Sequence, residues 1–298
     1  MPKVWFDMVK KSAICWVLAC LHFQVNAQDL QQVRKDVFAL AAPAMFGRGY
    51  VNNGQAKAAA YLQQRFKEIG LKPLSQNYLQ TFTMPIHTFP GKVVLRVNNT
   101  TWQTGIDYIL SPLCPGIKAT FTVLPMDTLV FTQQNSARQW LAAQYRDKCV
   151  VVPAKFTTQT YKLIEAGWRP GMLAFEESKK LTASLSQKVG DIPAIQYVGK
   201  RLLQGDKIKL LVQTKTYSDY PVSNVLGFVK GSMHPDSFYV FTAHYDHLGG
   251  MGNRVFFPGA NDNASGTALL LALADHYARH PPKYSLAFIA YAAEEAGM

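Results

Sequence analysis

Cysteine is scarce in this chain: there are four in 298 residues, with no C-x-x-C pair and no cysteine–histidine spacing of a zinc-finger kind. A multi-disulfide scaffold and a structural zinc module are therefore excluded. Long apolar runs are lacking as well. None approaches the roughly 20 residues that cross a bilayer as a helix, so no stable membrane span is expected. Charged residues make up 17% against 48% hydrophobic, and 20 glycines and 16 prolines show no repeat, which excludes a disordered or collagen-like chain. Acidic residues are the minority, leaving a net charge of +12. The basic residues are nonetheless dispersed, singly or in pairs such as Lys10-Lys11, Lys179-Lys180 and Lys200-Arg201. A surplus without a basic block describes a basic globular protein and gives no nucleic-acid-binding face. Histidine is missing altogether from residues 101–216, so that stretch offers no imidazole ligand or base.

What is present begins with an address. Lys3, Lys10 and Lys11 precede a short apolar run, Ser12 to Phe23, and Val25-Asn26-Ala27 supplies small residues where a signal peptidase cuts. Export to the periplasm or the extracellular space with cleavage near Ala27 is expected. The alternatives are an N-terminal helix of the folded domain and lipid attachment at Cys20, within Val17-Leu18-Ala19-Cys20. Cys114 and Cys149 then remain, either as one disulfide or as two buried thiols.

Three regions follow. Residues 28–100 start with helical periodicity: Asp29 is an N-cap candidate, and Ala58, Leu62, Phe66 and Ile69 share a face that Gly70 closes. Residues 101–216 alternate short strands, Thr128–Phe131 among them, with modest helices such as Lys200–Leu203, and read as a small β-rich insert that shapes, covers or presents something. Residues 217–298 read as a βαβ unit. Ser237–Ala243 is so apolar that a central strand is expected, Ser265–His280 is an amphipathic helix with apolar residues at Ala268, Leu269, Ala272 and Leu273, and Tyr284–Ala292 is a buried strand. Such units predict an α/β fold with a mostly parallel, doubly wound sheet whose sites form at strand carboxyl ends.

The polar residues fall at those ends. His244 and Asp246 close the first strand two residues apart, and in extended chain they face one side. Asp262 lies among small residues just before the helix, and Glu294-Glu295 follow the second strand. Adjacent carboxylates beyond an apolar strand are costly unless a cation is near. Imidazole and carboxylate donors suit a hydrolytic zinc centre, with a free carboxylate to take a proton from water.

The blocks Thr242–Gly249, Gly259–Gly266 and Tyr291–Gly297 resemble, in order and spacing, the co-catalytic di-zinc aminopeptidases, relatives of the glutaminyl cyclases and of the glutamate-carboxypeptidase and transferrin-receptor group. Phe46-Gly47-Arg48-Gly49 resembles the family's lead-in, and 101–216 its protease-associated insert. The resemblance implies His244 as ligand of one zinc, Asp262 as the bridge, Glu295 as ligand of the other and Glu294 as general base, with Asp246 orienting His244. It implies two zinc ions and peptide substrates, leaves the oligomeric state open, and gives His247 no role. It also places a further Asp and His after the last residue, Met298. The chain is thus expected to be an N-terminal fragment that binds zinc poorly and is itself inactive. A receptor or scaffold without catalysis, a glutaminyl cyclase and a carboxypeptidase are the alternatives on the same fold.

Overall fold

The computed structural model describes residues 29–143, 145–177 and 179–298. The expected signal segment, with Cys20 and Ala27, lies outside the described residues.

Helix α1 (Leu30–Ala41) starts where the Asp29 carboxylate accepts the N–H groups of Gln31 and Gln32, the cap its sequence predicts. A 3-10 stretch, Pro43–Arg48, leads to α2 (Gly54–Ile69). This helix buries Ala58, Leu62 and Phe66, and Gly70 ends it in the left-handed conformation at φ 85°. Strands β1 (Lys72–Pro73) and β2 (Leu79–Thr88) follow.

The chain then builds a second lobe from β3 (Val93–Val97), β4 (Thr100–Trp102), β5 (Tyr108–Leu110), β6 (Ile117–Pro125), α3 (Gln134–Ala142), β7 (Lys148–Pro153), α4 (Thr157–Glu165), β8 (Met172–Glu176), β9 (Ala194–Tyr197) and β10 (Lys207–Val212). The strands form one sheet in the order β4-β3-β10-β6-β7-β8-β9-β5, parallel from β6 to β9 and antiparallel elsewhere. Val93–Val97 is laddered to Ile208–Val212, so the sheet of this lobe begins before residue 101. Thr128–Phe131 is a 3-10 turn rather than a strand, because Asp127 caps it by accepting from the Leu129 N–H at 2.9 Å. Lys200–Leu203 has no regular structure instead of the expected helix. Cys114 and Cys149 are both buried and unbridged, which settles the disulfide alternative in favour of free thiols.

The first lobe resumes with β11 (Lys215–Val229), β12 (His234–His244), the small hairpin β13 (Gly250–Met251) and β14 (Val255–Phe256), α5 (Ser265–Arg279) and β15 (Tyr284–Tyr291). Its sheet runs β1-β11-β15-β12, with β2 also on β11. The expected α/β class holds, and β12-α5-β15 is a βαβ unit. The β12–β15 pairing is the parallel one in this sheet, and β1, β2 and β15 each meet β11 antiparallel. Strand β15 enters between β11 and β12 and becomes the buried centre. Among the described residues β12 pairs with β15 alone, and Phe238, Tyr239 and Val240 are 45%, 60% and 54% exposed. On helix α5, Leu270, Leu271 and Ala274 join Ala268 in the core, while Leu269, one of the apolar positions of the amphipathic pattern, points outward. Among the described residues, no helix is long and apolar enough to cross a membrane.

Candidate metal centre

Parallel pairing of β12 with β15 sets His244 beside Tyr291, so the carboxyl ends of both strands open on one side of the sheet. Helix α5 brings the loop before it to the same place. The Thr267 hydroxyl, in the first turn of α5, donates to the His244 carbonyl at 2.9 Å and fixes that approach. His244, Asp262 and Glu295, three residues from three separate segments, consequently offer ligand atoms that all lie within 4.8 Å of one another. His244 Nε2 is 3.3 Å from an Asp262 carboxylate oxygen. Glu294 points its carboxylate toward the same imidazole, 3.8 Å from His244 Nδ1, and that carboxylate is exposed.

Asp246 is fully buried beneath this cluster. Its two oxygens accept the backbone N–H groups of Glu294 and Glu295, each at 3.2 Å, and the Tyr50 hydroxyl at 2.9 Å. Burial pushes its pKa upward, opposed by the Tyr50 hydrogen bond, the two amides and the nearby His244. Asp246 thus ties the end of β12 to the turn that carries both glutamates. Its expected role toward His244 takes a different form: His244 Nδ1 lies 3.3 Å from the Asp246 main-chain carbonyl and 3.8 Å from its carboxylate.

His247 and Arg48, neither of them read as a site residue in the sequence, complete the frame. His247 Nδ1 sits 2.5 Å from Glu295 Oε1, orienting the carboxylate that faces the cluster. Arg48 is wholly buried and donates only to main-chain carbonyls: Tyr245 (2.6 Å), Leu40 (2.9 Å), Pro258 (2.7 Å), Gly259 (2.7 Å) and Asp262 (3.3 Å). A guanidinium has five N–H donors in a planar fork, enough to staple the β12 end to the loop bearing Asp262. Burial lowers its pKa to about 10, while Asp246, Asp262 and Glu295 favour the charged form. The loop closes around that fork through Gly259, at φ 58°, where an added Cβ would meet Asp262 O, the His247 ring and Arg48 Nη2. Gly49 permits a similar close approach to Gly249. The sequence held one signal for these contacts, the glycines bracketing Arg48 and preceding Asp262.

A cleft of about 560 Å³ opens beside the cluster, lined by Phe82, Asn224, Thr242, Tyr291, His244 and Glu294 among others. Carboxylates and an imidazole converging at a strand-end cleft form a donor set for a hard or borderline divalent cation. The three donors come from the blocks in which the sequence placed them.

An α/β lobe thus carries a donor set for a cation at its strand ends. Residues 224–298 match the model for Peptidase family M28. Aminopeptidase YwaD of Bacillus subtilis is 30% identical over 143 residues, covering 46% of this chain and 30% of that protein. A probable zinc metalloprotease of Pyrenophora teres f. teres is 43% identical over 79 residues, 26% of this chain and 16% of its own length. Among solved structures, the zinc aminopeptidase BSAP of Bacillus subtilis superposes with a TM-score of 0.63 at 21% identity, over 90% of this chain and 62% of that one. The aminopeptidase of Aneurinibacillus sp. strain AM-1 gives 0.58 at 17% identity, over 91% and 64%. These structural likenesses carry the fold across both lobes. The chain spans less than a third of the curated relatives' length and under two thirds of these solved chains.

Proposed function

We propose that the protein is a zinc-dependent metallopeptidase of the M28 type, and within that class an aminopeptidase that removes N-terminal residues from peptides. The observation that carries this reading is the convergence of His244, Asp262 and Glu295 at the ends of β12 and β15 and in the loop before α5, with Glu294 beside them. The donor chemistry fits zinc: one imidazole and two carboxylates are ordinary zinc ligands, and their negative charge is costly in so small a space without a cation. His244 would hold one ion, Glu295 the other and Asp262 both. Bound zinc supplies a Lewis acid and a water of lowered pKa.

The chain's own residues do the rest. Glu294 has an exposed carboxylate next to the donors, where it takes the proton of the attacking water and returns it to the leaving amine. Its position is set from behind by Asp246, which holds its main-chain N–H. Asp246 and His247 keep Glu295 in place, and Arg48 keeps Asp262 in place. Among the described residues three donors converge, and weak zinc binding and poor hydrolysis by residues 1–298 alone belong to the proposal. Export, supported by the basic and apolar N-terminus, and a protease-associated character for the β3–β10 lobe belong to the same proposal.

Hydrolysis of leucine p-nitroanilide compared with its N-acetylated form, by the full-length protein, tests the reading. An aminopeptidase cleaves the free-amine substrate and spares the blocked one. Equal cleavage of both, or none of either with zinc present, would overturn it.

A further inference from the structure

The turn bearing the glutamates is short and its main chain is heavily committed. Ala293 adopts φ 71° and Gly297 φ 84°. Gly297 N–H donates to Glu294 O at 2.9 Å and Met298 N–H to Ala293 O at 3.0 Å, while Asp246 takes the Glu294 and Glu295 amides. One contact reaches this turn from the other lobe. The Gln187 side-chain amide donates to the Ala296 carbonyl at 2.8 Å, 109 residues away in sequence.

Gln187 sits on the irregular strap between β8 and β9, and the strap is itself anchored. The Ser186 carbonyl accepts the His87 N–H at 2.8 Å, at the end of β2, and Gly190 N–H donates to Leu113 O at 2.8 Å. Leu185 packs against the first-lobe core that contains Ala292, Ala293 and Ala296. A segment of the insert therefore crosses to the peptidase lobe. It grips the carbonyl of the residue that follows Glu295 and, through Leu185, packs against the first-lobe core. Asp246 restrains this turn from its amide side, and Gln187 restrains it from its carbonyl side.

We propose that Gln187 is a positioning residue for the Glu294–Glu295 turn, through which the β3–β10 lobe sets the geometry of the metal site. The proposal rests on the metallopeptidase reading for its consequence. It gives the insert, which contains no chemistry of its own, a direct mechanical part in that site. Catalytic geometry is sensitive to displacements of about 1 Å, enough to cost roughly 100-fold in rate, so one anchoring hydrogen bond on the ligand-bearing turn has leverage.

Two variants of the full-length protein separate the hydrogen bond from packing. Gln187→Glu keeps the shape but replaces the donor with a carboxylate, and Gln187→Ala removes both. Lys188→Ala, on the exposed neighbour, is the control, and an unchanged circular dichroism spectrum shows that each variant is folded. Amide hydrogen exchange is read at Glu294, Glu295, Gly297 and Met298, and zinc affinity by competition with a chromophoric chelator. The expected result is exchange at least fivefold faster on this turn and zinc affinity lowered threefold or more in both Gln187 variants, with Lys188→Ala as wild type. Exchange within twofold of wild type, or faster exchange with unchanged zinc affinity, overturns the proposal. If the wild-type protein binds no zinc, the metallopeptidase reading fails, and unchanged exchange in that protein would separately show that Gln187 does not brace the turn.

Discussion

His247 Nδ1 lies 2.5 Å from the Glu295 carboxylate, so a residue on the loop after β12 fixes a donor on the turn after β15. An ionised carboxylate only accepts hydrogen bonds, which puts the proton on Nδ1 and leaves Glu295 one oxygen free for the cluster. Replacing His247 with alanine removes this restraint without touching the other two donors. Partners of this kind are worth roughly 10- to 100-fold in metal affinity. His247→Ala is expected to bind zinc at least ~10-fold more weakly than wild type. Isothermal titration measures it, and an unchanged Kd would show that the contact does not orient the ligand.

Arg48 is expected to matter for folding before it matters for chemistry. It satisfies five carbonyls, those of Tyr245 and Leu40 buried and those of Pro258, Gly259 and Asp262 partly buried, and leaving a buried acceptor without a donor costs about 1–3 kcal/mol. Local relaxation and water recover part of this, so Arg48→Met is expected to lose on the order of 3 kcal/mol in urea unfolding. Arg48→Lys is expected to be nearly as damaging, since a single ammonium cannot reach the planar fork's positions. A loss below about 1 kcal/mol in both would contradict the stapling role.

The two free thiols should be chemically silent. Burial pushes the Cys114 pKa up to about 11 and that of Cys149 higher still. Only thiolate reacts with alkylating reagents, and raising the pKa removes it at neutral pH. Iodoacetamide at pH 8 is expected to leave both unmodified in native protein and to label both in 6 M guanidinium, as counted by mass spectrometry. Rapid labelling of either native thiol would show that the second lobe is open there.

Glu294 and Glu295 are adjacent but predicted to separate in function. Removing a general base costs roughly 100- to 10,000-fold in rate. Glu294→Gln in the full-length protein is expected to lower kcat by that order and to leave zinc affinity within about twofold. A loss of metal in Glu294→Gln equal to that in Glu295→Gln would mean that the assignment of base and ligand is wrong.

What the sequence made legible was local. Asp29 and Gly70 mark helix ends because capping is decided within a few residues. His244, Asp262 and Glu295 stand at element ends, where apolar periodicity stops and polar residues begin, and the βαβ pattern alone brings those ends together. The hidden parts act over long separations. Arg48 reaches Tyr245 and Asp262, His247 reaches Glu295, and Gln187 reaches Ala296, and none of these pairings leaves a periodic trace.

The central claim is that His244, Asp262 and Glu295 form one metal centre, and chelation of the full-length protein tests it most directly. Hydrolysis of leucine p-nitroanilide should disappear on dialysis against 1,10-phenanthroline and return with added zinc. The variants His244→Ala, Asp262→Asn and Glu295→Gln should each retain less than a few per cent of the activity at any zinc concentration, with reduced bound zinc by atomic absorption. Undiminished hydrolysis after chelation, or wild-type zinc content in these variants, would contradict the account.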